Sequence, residues 1–267
     1  MVYGQVYDMS DVVQLPVVEV KRFANDRNDS WRVMPFLQGA FLIFFGFYAF
    51  WAVALDYTHA FVDVGSVHFV SPFFNPDIEV SWWPEGLSPG LLLIWAPLGF
   101  RATCYYARKV YYRSFFWDPP GCAIAEAKAQ EGEYRGENKA PYILNNIHRY
   151  FFLIAFVLAI IHAAEFIRLV FTGGFSSGSA AIATIILGID ALFLALYVLS
   201  CHSCKHIVGG SLNRTRGSPL RRFRFKSWKF VKKLNVNHGA YFWLSLTTIL
   251  LADMYIRFIL ARGILSF

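Results

Sequence analysis

The sequence predicts an all-α membrane protein, a bundle of five transmembrane helices with its N-terminus cytoplasmic and its C-terminus outside. Three observations predict it. Five stretches stay apolar over about the 20 residues that a helix needs to cross a bilayer. Of the 267 residues, 56% are hydrophobic and only 16% charged, a balance foreign to a soluble chain of this length. The charges between the stretches also segregate by sign, as membrane topology requires.

Residues 1–32 mix both signs (Asp8, Asp11, Glu19, Lys21, Arg22, Asp26, Arg27, Asp29) and read as a cytoplasmic or interfacial arm, with no secretory leader. Residues 33–267 are the anchor domain. Its first span, 33–55, contains no charge. The second, 89–107, opens at Ser88-Pro89 and is apolar until Arg101. The third runs over 148–171, the fourth over 178–200 and the fifth over 238–260. The connection 56–90 carries Asp56, Asp63, Asp77, Glu79 and Glu85 and no Lys or Arg, so it lies outside. The connection 203–237 carries ten Lys or Arg and no acid, so it is cytoplasmic, as is 108–147. The net charge of +7 is then an expression of topology and of contact with lipid headgroups, and nucleic acid is excluded as a partner.

This orientation turns scattered ligand-type residues into a layer. Cys104 lies near the cytoplasmic end of span two, and His148 opens span three. The run CHSCKH (Cys201 to His206) closes span four, and His238 opens span five. Taken singly, a cysteine in a membrane helix is ordinarily a small apolar residue. A histidine at a helix end is ordinarily a donor to headgroups or carbonyls. Their concurrence at one depth favours a cofactor. On a continuous helix Cys201 and Cys204 share one face while His202 and His206 share another, so a cofactor must recruit ligands from other spans. Four cysteines (Cys104, Cys122, Cys201, Cys204) are too few and too ill-placed for a disulfide framework.

His162 is the one histidine well inside a span, which disfavours a dihaem site. Thiolates with imidazoles fit zinc or a Rieske-type [2Fe–2S] centre, and spacing does not choose between them. Toward the outer side, Glu165 with Arg168 and Asp253 with Arg257 are spaced to pair on their own helices. His162, Asp190 and Asp253 form a candidate proton path. A metal-ion or proton-coupled transporter is the rival reading, and the lack of an internal repeat argues against it.

The stretches FRATCYYARKVYYRSFFWDPPGCA (100–123), NNIHRYFF (145–152), GIDALFLALYVLSCHSCKHIVGG (188–210) and LNVNHGAYFWLSLTTILLADMYIRF (234–258) carry a resemblance. They are similar to the membrane-anchor subunit of succinate dehydrogenase/fumarate reductase, respiratory complex II, of the actinobacterial type without haem. The resemblance implies a multi-pass anchor in the bacterial plasma membrane, holding flavoprotein and iron–sulfur subunits and passing electrons to a quinone such as menaquinone. It also implies a membrane-embedded Rieske-type [2Fe–2S] cluster in place of haem; a haem b-binding anchor is the alternative. Cys104 and Cys201 stand where haem-binding relatives have imidazoles, which makes them the thiolate pair, with Cys204 as a substitute. His148 and His238 are the imidazole pair, with His206 and His202 in reserve. Tyr105, Tyr106, Arg108, Trp117, Ser200 and Trp228 supply polar groups near that face for a quinone. The ordinary reading of such aromatics is an interfacial belt.

Overall fold

The computed structural model describes residues 27–78, 81–117, 143–210 and 217–264. Cys122 and nearly all of the N-terminal arm lie outside them. Among the described residues four helices are long and apolar enough to cross a membrane: Val33–Leu55, Ile143–Phe171, Gly178–Leu199 and His238–Leu260.

The first helix, α1 (Val33–Phe50), continues in a wider turn to Leu55. It is apolar on every side, so its exposed Phe36, Phe44, Phe47 and Phe50 suit lipid rather than water. Next comes a feature that an all-α reading of the chain does not contain. Phe61–Val64 (β1) and Val67–Val70 (β2) pair antiparallel, Phe61 opposite Val70. The two-residue turn needs a left-handed residue, and Gly65 supplies it at φ 62°. Val67 and Phe69 of this hairpin are buried against Leu169, Ala183 and Ile256, so it caps one end of the helix bundle.

The stretch 89–107 is not one helix. A tight turn at Pro89–Leu92 leads into α2 (Trp95–Thr103), Cys104 is extended (φ −62°, ψ 130°), and α3 (Tyr105–Tyr111) follows. The long helix α4 (Ile143–Phe171) puts His148 in its second turn, not at its start. The next, α5 (Gly178–Leu199), is capped by the Ser177 hydroxyl, which accepts from the Ala180 amide at 3.3 Å. It ends before CHSCKH: Cys201 is extended (φ −61°, ψ 145°) and α6 (His202–Gly209) starts afresh. The assumption of one helix through those six residues therefore fails.

Neither break contains proline or glycine. At each, the residue before the cysteine bonds back to its own helix, Thr103 to the Gly99 carbonyl (2.7 Å) and Ser200 to the Tyr197 carbonyl (3.0 Å). Such back-bonding competes with the helical ladder and bends it. The basic helix α7 (Pro219–Val236) begins with a Ser218 cap and proline in its first turn. Asn237 then separates it from α8 (His238–Met254), which winds on to Leu260. Small residues on α5, such as Ala180, Ala183 and Ala191, are buried and let the neighbouring helices approach closely. Between α2 and α4 the approach is closer still: a Cβ on Gly99 would meet the Phe151 ring at 2.1 Å.

Candidate functional site

The two helix breaks bring the predicted donors together. Cys104 Sγ lies 3.4 Å from His238 Nε2, and Cys201 Sγ lies 3.1 Å from His148 Nε2. Cys104 and Cys201 belong to one buried cluster with Phe100, Tyr197 and Cys204. Their exposures are 3% and 1%, and that of His148 is 6%, so bulk water is kept from three of the four donors.

The two pairs are built to one plan and are crossed. Phe100, four residues before Cys104, stacks on the His148 ring (centroids 4.8 Å, 9° between planes). Tyr197, four residues before Cys201, stacks on the His238 ring (4.9 Å, 15°). The residue before each cysteine holds the same histidine that its aromatic covers: Thr103 Oγ is 2.9 Å from His148 Nδ1, and Ser200 Oγ is 2.7 Å from His238 Nδ1. Each cysteine meets the other half's histidine. Phe100, Thr103 and Tyr197 were not anticipated from sequence, yet the signal is there: F-x-x-T-C at 100–104 and Y-x-x-S-C at 197–201.

The donors come as two Cys–His pairs. Among the described residues no three His, Cys, Asp or Glu side chains group as a single metal ion would need. Cys204 is buried nearby, while His202 and His206 face each other on exposed turns of α6 with centroids 4.6 Å apart. Partial burial, then the neighbouring His206 and Lys205, hold His202 below the ordinary imidazole range. Arg101 is a further participant that sequence reading left aside. Its guanidinium lies 4.7 Å above the Tyr197 ring and donates to Ser245 Oγ at 3.1 Å.

The residues assigned to quinone scatter. Tyr106 packs edge-on to His238 (6.3 Å), and a Cβ on Gly239 would strike its ring at 2.6 Å. Ser200 is buried beneath His238. Arg108 is buried and donates to Asn145. Tyr105 is 70% exposed. Trp117 lies edge-on to Trp31, and Trp228 stacks on Phe225.

The three candidate proton-path residues have different partners, although those of His162 and Asp253 include the neighbours Pro72 and Ser71. His162 contacts the Leu158 and Pro72 carbonyls (2.8 and 3.1 Å), and Asp190 accepts from Thr248 at 2.9 Å. Asp253 accepts from Ser71, Tyr48 and Arg257. The ion pairs expected within helices are present, Glu165–Arg168 at 2.6 Å and Asp253–Arg257 at 2.8 Å.

A family model described as actinobacterial succinate dehydrogenase subunit SdhC matches residues 33–262, most of the chain and all four cysteine and histidine donors. The chain belongs to this family. An SdhC-family chain is a subunit of succinate dehydrogenase, and this one is a multi-pass protein of the bacterial plasma membrane. A solved structure described as the Mycobacterium smegmatis Sdh1 complex in the apo form has a chain similar to it. The two are 31% identical with a TM-score of 0.74, over 94% of this chain and 96% of that one. No curated protein matches.

Proposed function

We propose that this SdhC-family subunit conducts electrons from its partner subunits to a membrane quinone through a Rieske-type [2Fe–2S] centre held by Cys104, Cys201, His148 and His238. The crossed pair of Cys–His contacts carries this reading. Two thiols and two imidazoles are the donor set of such a centre, which supplies one-electron transfer at a raised potential when bound. Zinc takes the same donors but is redox-inert, so it serves the family's chemistry poorly. Haem is disfavoured by the geometry, because both Nε2 atoms face cysteine sulfurs and one face of each ring is already covered, His148 by Phe100 and His238 by Tyr197.

The partners are the flavoprotein and iron–sulfur subunits, docked on the side where α6 and α7 carry their basic charge. By the positive-inside rule that side is cytoplasmic. The broken segment from Pro89 to Tyr111 then completes five crossings, with the N-terminus inside and the C-terminus outside. Tyr106, packed against His238, would be the residue to meet a menaquinone-type ring arriving from the lipid.

Electron paramagnetic resonance on the reduced, assembled complex tests this. We expect a Rieske-type signal in the wild type that disappears in the His148→Ala/His238→Ala variant. Quinone reduction should go with it, while succinate oxidation with a soluble acceptor survives. A signal unchanged in the double variant would reject these ligands.

A further inference from the structure

Thr103 and Ser200 occupy matching places in the two half-sites, and their hydrogen bonds have a direction. A hydroxyl has one proton to give. Thr103 Oγ lies 2.7 Å from the Gly99 carbonyl and Ser200 Oγ 3.0 Å from the Tyr197 carbonyl. A carbonyl can only accept. Each hydroxyl proton is therefore committed to its own helix; pointed elsewhere, it would leave two oxygens facing each other lone pair to lone pair. The contacts to His148 Nδ1 (2.9 Å) and His238 Nδ1 (2.7 Å) must then run the other way, with the imidazole donating. A neutral imidazole protonated on Nδ1 has its lone pair on Nε2. Those are the atoms 3.1 and 3.4 Å from the cysteine sulfurs.

We propose that Thr103 and Ser200 are positioning residues that lock His148 and His238 in the Nδ1–H tautomer and present both Nε2 lone pairs to an iron centre between the half-sites. The inference rests on the reading that these four donors hold iron. Its reach is wider than orientation. An imidazole that donates from its far nitrogen is a more basic ligand, and second neighbours of this kind tune metal sites. Greater basicity favours the oxidised iron, so removing the acceptor should make the centre easier to reduce. Ser200 is further tied by Asn235, whose side-chain amide donates to the Ser200 carbonyl at 2.7 Å and pins the break against the end of α7.

A redox titration of the assembled complex, followed by electron paramagnetic resonance, tests the roles. Thr103→Val and Ser200→Ala should each raise the reduction potential and change the g values. Thr103→Ser and Ser200→Thr, which keep the hydroxyl, should restore both. A Thr103→Val complex that loads no iron while Thr103→Ser loads it normally also supports the role. Unchanged potential and g values in the Val and Ala variants would overturn it, as would equal shifts in the hydroxyl-keeping pair. A wild-type complex with no iron signal from this subunit would instead overturn the underlying ligand reading, and this inference with it.

Discussion

The two ends of the bundle bury polar groups by opposite means. At the hairpin end, charge meets charge. Asp253 is fully buried and accepts from Ser71, Tyr48 and Arg257, and Arg257 in turn donates to the Ala52 carbonyl (2.9 Å) and to Asp56. Glu165 and Arg168 pair beside the hairpin, and Arg168 also donates to the His68 carbonyl. At the other end, Cys104, Cys201, His148 and His238 are held by hydroxyls and aromatic rings, with no carboxylate on any of them among the described residues. In a medium where an isolated charge is expensive, neutral thiols and imidazoles can be buried without counter-ions. Here the two Nε2 atoms face the cysteine sulfurs. The hairpin end is closed by ion pairs; the cysteine end brings thiols and imidazoles into contact.

The largest effect should come from breaking the closed end. Arg257→Met leaves the Asp253 carboxylate buried without its cation, which costs roughly 3–5 kcal/mol when one partner of a buried pair is lost. A thermal melt of the complex in detergent should show it, and adding Asp253→Leu to the same chain should recover much of the loss. If Arg257→Met melts like the wild type, the network is not what holds this end together.

A smaller effect is expected at the cysteine end. Gly239→Ala drives a methyl into the Tyr106 ring beside His238, and overpacking of this kind costs about 1–3 kcal/mol. The displaced ring should disturb the iron spectrum more than the melt. A perturbed melt with an untouched spectrum would separate Tyr106 from the site.

Much of this contrast is written in the chain. The charge-free run 33–55 and the spans near 178–200 and 238–260 follow from composition alone, and the i, i+3 and i, i+4 ion pairs follow from helical spacing. The meeting of Cys104 with His238 and of Cys201 with His148 was also legible, because topology brings the four to one depth. The breaks at Cys104 and Cys201 were not, since neither has a proline or glycine to announce it and the cause is a hydroxyl bonding to its own helix. The hairpin was hidden by its acidic setting, although Gly65-Ser66 between two β-branched runs is a recognisable turn. The repeated aromatic-x-x-hydroxyl-Cys pattern means little until the fold crosses the two copies.

The central claim is that the two cysteines are ligands and not packing. Iron analysis of the purified complex carrying Cys104→Ala and Cys201→Ala tests it most directly. The account predicts a loss of about two irons per complex relative to wild type, the content of one [2Fe–2S] centre, with the partner subunits still bound. A double variant that keeps its full iron content would contradict it.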